Sequence, residues 1–366
     1  MNTRTAMAGV AVATVLVVGA AVILQRERPS ARSPVGKGMR APTGDVVATP
    51  LSGAKPALLY FVRGALQAID LESGRTRDLG ELSADVATAA PSGPWVAEVV
   101  PVDSPPGAER DFVVEPELRL LDTSSGREKT IGPGFAPLWG PDGDTLVFLR
   151  PVGPRRCSGE VCRGRSEVAA LDVATGSART LLEAGRWGLL SWLGREVLVS
   201  DAADLDRTLA VSPEGRVRRL TFAPSEVWAG SPDGAWLVAV RAGRPLLYST
   251  GEDAPDVRAD PISTGGGLLA AGAWAPDSSL VVAVLVGAGS GERPVMLDPT
   301  DPDPVPLRGM SGATGPVLWS QDARLVVLPG RRGARQHVGV CDVEQRSCRR
   351  LMPYGRDVSL VGIVGG

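Results

Sequence analysis

LWGPDGDTLVFLR, residues 138–150, is a turn followed by a strand. In Pro141-Asp142-Gly143 the proline presets φ, the aspartate can accept from its own downstream backbone, and the glycine tolerates positive φ. The run TLVFL that follows (145–149) is β-branched, aliphatic and aromatic, the composition of a strand packed on both faces. Trp139 closes the strand before the turn, where a large flat ring can fill the gap between neighbouring sheets. Versions of the stretch return at SPDGAWLVAV (231–240), AWAPDSSLVVAVL (273–285) and LWSQDARLVVL (318–328).

Working outward, each recurrence belongs to a larger unit. An inner strand ends near Trp, a Pro-Asp-Gly-like turn leads to a strongly apolar second strand, and a loop leads to a third strand ending in Asp. A tight turn and a polar fourth strand complete it. Second strands begin at Ala57, Trp95, Asp144, Glu196, Ala235, Ser279 and Arg324. The turns between third and fourth strands begin at Asp70, Asp122, Asp172, Ser212, Gly251, Asp298 and Asp342. A period of roughly 40–50 residues is that of a four-stranded propeller blade. The expected fold is therefore all-β: a β-propeller of seven four-stranded blades over residues 45–366. The first, second and fourth units lack the Pro-Asp pair. An open ring would expose sheet edges, so a terminal strand must close it. DVSLVGIV (357–364) is favoured over residues 45–51 for that role.

The repeat resembles that of TolB-like propellers, which also occurs in the propeller domains of prolyl-oligopeptidase-family enzymes. The resemblance spans about 310 residues and implies the fold more than any activity, because many unrelated functions use such propellers. It implies a propeller without the hydrolase domain of those enzymes.

Residues 1–5 form a short tail, and residues 6–24 (AMAGVAVATVLVVGAAVIL) are uncharged. As a helix they would span about 28 Å, enough to cross a hydrocarbon core. A transmembrane anchor is favoured over a cleaved signal peptide, for which Gly19-Ala20-Ala21 offers small residues. No cysteine lies near enough for lipoprotein processing. Residues 25–44, rich in Arg, Pro, Ser and Gly, read as a flexible linker. Arg26, Arg28, Arg32, Lys37 and Arg40 would by the positive-inside tendency hold the body in the cytoplasm. The cysteines argue for export. Cys157 and Cys162 lie five apart and Cys341 and Cys348 seven apart, so two local disulfides use all four thiols. Each would contribute about 2–3 kcal/mol and belongs to an oxidising compartment. The expected location is the cell envelope, with the propeller outside the cytoplasm, or secretion if the segment is cleaved.

Catalytic chemistry finds little footing. His337 is the sole histidine and falls in a third strand. Residues 309–313 (GMSGA) miss the Gly-x-Ser-x-Gly elbow by one position. Gly287-Ala288-Gly289-Ser290-Gly291 lacks the Gly-Lys-Ser/Thr end of a phosphate loop. Asp298, Asp301 and Asp303 alternate with prolines that keep them from converging on a cation. Asp142, Asp233 and Asp277 are turn formers. No catalytic residue, metal or cofactor is assigned. A net charge of −2 and 4% aromatic residues disfavour nucleic acid.

In a four-stranded blade the loops between second and third strands, and those between blades, emerge on one face. The long insertions here (101–115, 151–165, 287–293 and 329–335) are all of that kind. Two carry arginines: Arg155, Arg156, Arg163 and Arg165 in the third unit, and Arg331, Arg332 and Arg335 in the seventh. They are the candidate binding residues for an envelope protein or polymer. The expected function is a non-catalytic binding scaffold; the alternative is a small-ligand or carbohydrate-active propeller with a site at the central opening.

Overall fold

A computed structural model describes residues 55–62, 64–81, 86–100, 112–114, 116–158, 161–201, 204–220, 227–241, 244–250, 259–262, 268–287, 291–332, 335–355 and 357–365. The segment 6–24, the linker 25–44 and the alternative closing strand at 45–51 lie outside the described residues. Among the described residues no helix is long and apolar enough to cross a membrane.

Seven sheets follow one another along the chain. The first blade is β1 (Ala57–Val62), β2 (Ala65–Asp70) and β3 (Thr76–Glu81), with β29 (Val358–Val364) as its innermost strand. The second is β4 (Val86–Ala89), β5 (Trp95–Val100), β7 (Glu117–Asp122) and β8 (Arg127–Pro133). The third is β9 (Phe135–Trp139), β10 (Thr145–Ser158), β11 (Val161–Asp172) and β12 (Ala178–Gly185), with β6 (Phe112–Val114) added from the second-blade insertion. The fourth is β13 (Trp187–Leu193), β14 (Glu196–Asp201), β15 (Asp204–Val211) and β16 (Val217–Leu220). The fifth is β17 (Val227–Gly230), β18 (Trp236–Arg241), β19 (Arg244–Ser249) and β20 (Ala259–Pro261). The sixth is β21 (Leu268–Trp274), β22 (Val281–Gly287), β23 (Gly291–Asp298) and β24 (Asp301–Pro306). The seventh is β25 (Leu318–Trp319), β26 (Leu325–Arg332), β27 (Arg335–Asp342) and β28 (Ser347–Pro353). The ring closes through the C-terminal strand: β29 runs antiparallel to β1, from Ala57↔Val364 to Val62↔Val358.

The core lies in the seams between blades, each of which holds its own apolar cluster. Strand β10 shows why its composition demands this. Leu146 and Phe148 pack toward the second blade while Val147 and Leu149 pack toward the fourth, all four buried. A pleated strand sends alternate side chains to opposite faces, so a strand between two neighbours must be apolar throughout. Burying each such side chain contributes about 1.5–3 kcal/mol.

The tryptophans lock the seams in a repeated way. Trp139 Nε1 donates to Thr88 O (2.9 Å), Trp274 Nε1 to Ala229 O (3.0 Å) and Trp319 Nε1 to Ala273 O (2.9 Å). Every acceptor is on the innermost strand of the preceding blade. In the fourth blade Trp192 Nε1 is buried without a partner among the described residues.

The turn aspartates are structural. Asp142, Asp233 and Asp277 each accept from the backbone N–H two residues on, at 3.1, 2.9 and 3.0 Å. Gly143 has a φ of 75°, and a Cβ there would lie 2.6 Å from Ser92 O of the second blade. At the ends of third strands, the Ser73 N–H holds the Asp70 carboxyl below its usual range, and the Thr175 N–H does the same for Asp172.

Candidate functional site

The antiparallel order within each blade puts the loops between second and third strands, and those between blades, on one face. On that face the third blade stands apart. β10 and β11 are 14 and 12 residues long, where the corresponding β26 and β27 of the seventh blade are 8 each. The extra length forms a hairpin beyond the ladder with β12, whose pairing with β11 runs from Leu171↔Ala178 only as far as Ser166↔Gly185.

Two of the predicted arginines, Arg155 and Arg156, are on β10, and Arg163 and Arg165 are on β11. The register puts Arg156 opposite Arg163 and Cys157 opposite Cys162 next to the tip. Arg165 is exposed and donates from Nη2 to Ala184 O of β12.

The insertion 101–115, expected as a loop, supplies a strand. β6 runs antiparallel to β10 with pairs Arg155↔Val114, Arg156↔Val113 and Cys157↔Phe112. The outgrowth is thus three-stranded, in the order β6-β10-β11. FVV, rich in β-branched and aromatic residues, had the signal of a strand, but its partner in another blade lies more than forty residues away and carries no local mark.

The remaining arginines are elsewhere on the ring. Arg331 and Arg332 end β26 and Arg335 begins β27, with Arg332 opposite Arg335. Between the third and seventh blades stand the first and second on one side and the fourth, fifth and sixth on the other, so the structure brings the seven arginines together as two groups. The second group is tied down by the connection from the sixth blade: Arg331 N donates to Ser311 O (3.0 Å), Ser311 Oγ to Arg331 O (3.2 Å) and Thr314 N to Pro329 O (2.9 Å). Beside it is a cleft of about 130 Å³ lined by Glu292, Thr314, Arg331, Gln336 and Tyr354, among others.

On the opposite face, a cleft of about 250 Å³ lies at the seam of the seventh and first blades. Arg324 bridges to Glu72 Oε1 (3.3 Å), which also takes Lys55 on Oε2 (2.9 Å), and Arg349 donates to the carbonyls of Leu71 and Glu72. These contacts fasten the blades joined by ring closure. The disulfide Cys341–Cys348 links β27 to β28 in the same blade.

One buried titratable residue was missing from the sequence reading. Glu98, in β5, is 2% exposed, and its Oε1 has no hydrogen-bond partner among the described residues. Burial pushes its carboxyl up to about 7; Glu128 adds to the rise and Arg119 opposes it. Arg119 is drawn instead to Glu117, at 2.6 Å. The signal was present: one carboxylate in the middle of WVAEVV. His337 is half-buried in β27, opposite Gly330 and Pro353. Asp298 accepts from the Thr300 hydroxyl and N–H, which keep its carboxyl low. Among the described residues no three His, Cys, Asp or Glu side chains are grouped to hold a metal ion.

No family model matches the chain, and no curated protein matches it in sequence. Solved structures do. The β-propeller domain of the Trilobed protease from Pyrococcus furiosus, which has an open velcro topology, aligns at 13% identity over 80% of this chain and 88% of its own, with a TM-score of 0.54. Acylaminoacyl peptidase from Pyrococcus horikoshii aligns at 11% identity over 82% of this chain and 50% of its own, with a TM-score of 0.54. TolB from Acinetobacter baumannii aligns at 17% identity over 87% of this chain and 68% of its own, with a TM-score of 0.46. The chain thus spans about half the length of the acylaminoacyl peptidase it matches. What the two structures at 0.54 share with it is the propeller fold.

Proposed function

We propose that this chain is a non-catalytic scaffold of the cell envelope that binds another protein through its elaborated face, with the third-blade outgrowth as the docking element. The observation that carries this reading is the addition of β6 to β10, which builds an arginine-rich sheet beyond the ring where the second and third strands of the other blades are shorter. Residues 6–24 then serve as the membrane anchor, 25–44 as the tether and 45–366 as the propeller. The Cys341–Cys348 disulfide supports a body outside the cytoplasm. Deleting residues 151–165 and isolating the protein from native membranes tests it: the co-purifying partner should be lost, and undiminished retention would remove the outgrowth from the reading. Retention of a polymer in place of a protein would change the partner class.

A second reading, a small-ligand or carbohydrate-active propeller, draws support from the cleft beside Arg331. There Glu292, Gln336 and Tyr354 present groups able to hydrogen-bond a sugar. Thermal-shift screening with sugars and metal ions distinguishes the two, since a specific shift abolished by Arg331→Ala favours the second.

A further inference from the structure

The third-blade outgrowth has two long edges, and the chain treats them differently. Along β10 the edge is taken first by β9, from Leu146 to Leu149, and then by β6, from Arg155 to Cys157. Along β11 the outer edge is taken by β12 only from Ser166 to Leu171. From Val161 to Arg165 no described strand pairs with that side of β11. A strand edge of this kind presents unpaired N–H and C=O groups, the template that strand addition uses.

The strand on the other edge shows what kind of segment suits this hairpin. β6 is Phe-Val-Val, bracketed in sequence by Asp111 and Glu115, and its insertion also carries Asp103 and Glu109 against a single Arg110. Residues 151–165 of the hairpin have the opposite charge, with Arg155, Arg156, Arg163 and Arg165 against Glu160 alone, while Arg150 is paired with Glu167 across the strands (3.3 Å). Arg156 also stands directly across from Arg163. Like charges at directly opposed positions destabilise a strand pair, and neighbouring carboxylates offset that cost.

We propose that the open edge of β11, Val161–Arg165, receives an extended acidic segment of a partner protein as an added strand, a short aromatic or β-branched run flanked by carboxylates like that of β6. This rests on the docking function proposed above and names the partner's chemistry. Backbone pairing supplies the affinity and the arginines select for acidic flanks. A polyanion without a peptide backbone satisfies only the second condition.

The test uses the full chain in detergent and a fluorescent peptide AERDFVVEPE, residues 108–117 of this protein. Anisotropy should rise saturably with wild-type protein, and the same peptide with its carboxylates replaced by amides should bind at least about tenfold more weakly. Two variants separate charge from backbone. R156E/R163E reverses the charge. Gly164→Pro removes an N–H from the open strand at a position with no β10 partner, because the register steps from Val152↔Arg165 to Arg156↔Arg163. Both should weaken binding about tenfold or more while the thermal midpoint stays at the wild-type value.

If the charge variant weakens binding and Gly164→Pro does not, the arginines capture acids without a strand ladder and the proposal fails. Absence of peptide binding also overturns it, leaving the arginines as guards that keep the edge from pairing. Binding that emerges only when Val113→Pro releases β6 would move the site to β10 and refute the assignment to β11. Loss of the co-purifying partner on deletion of 151–165, with no peptide binding, would retain the scaffold and discard the added strand.

Discussion

The hairpins of the third and seventh blades look alike in sequence and differ in the fold. Each joins a second strand to a third, carries several arginines, and belongs to a blade with a closely spaced pair of cysteines. In the third blade the cysteines occupy paired register positions near the tip, the strands outrun their blade, and β6 arrives from the second blade to lengthen the sheet. In the seventh the cysteines link the third strand to the fourth, and the hairpin is stitched to the connection from the sixth blade. One is an outgrowth with an edge to offer, the other a buttress of the ring. Arginine content alone does not make a binding surface; the chain packed around it decides.

The comparison can be strained at the roots of the two hairpins. Ala57, Trp95, Thr145 and Leu325 each pair with the Asp that ends their third strand, so Tyr60, Glu98, Phe148 and Leu328 occupy equivalent places. Phe148 and Leu328 are both buried in seams. Phe148→Ala should cost about 3–5 kcal/mol and Leu328→Ala about 2–5 kcal/mol, measured by urea unfolding. A Phe148→Ala cost below 1 kcal/mol would mean that the outgrowth is not rooted in the ring.

The same place in the second blade gives the next largest effect. The Glu98 carboxyl titrates at about 7 in the fold against an ordinary 4.5, so the folded state binds its proton more tightly than the unfolded state does. Its contribution is therefore most favourable below about pH 4.5 and is lost as the pH rises through 7, an effect on the order of 3 kcal/mol across that window. In Glu98→Gln this part of the pH dependence should vanish, and at pH 8 the variant should be the more stable protein. An unchanged pH profile in urea titrations would show that Glu98 does not ionise at this seam.

The two cysteine pairs should separate more sharply. Loop-closure entropy assigns about 2.5 kcal/mol to the Cys341–Cys348 link, which C341S/C348S should remove. C157S/C162S should fall short of the about 2–3 kcal/mol expected of a hairpin link, because the tip of an outgrowth beyond the seams can open locally without the ring, and the thermal midpoint should change by less than about 1 °C. Equal shifts would erase the distinction between outgrowth and buttress. Smallest of all, Arg331→Ala should change stability by no more than about 0.5 kcal/mol, since its side chain is exposed.

Much of this was legible because the relevant physics is local. Pro141-Asp142-Gly143 forms its turn by a bond from Asp142 to a backbone two residues away, and Thr145 to Leu149 is apolar at every position because both faces are covered. Glu98 could have been noticed as the carboxylate in WVAEVV, though its loss of solvent depends on the first blade. The pairing of β6 with β10 had no comparable mark, since three residues are too few to state their partner.

Local chemistry along the chain specifies a repeat of apolar strands and aspartate turns, and thereby a ring of blades, because turn chemistry and strand alternation act over a few residues and recur with the period. Tertiary pairing confirms β29 as the closing strand, and it alone separates an arginine hairpin that outgrows its blade from one stitched to the ring and lets the second blade lend a strand to the third. Those outcomes rest on pairings between residues far apart in the chain, whose register is set by packing across the blades.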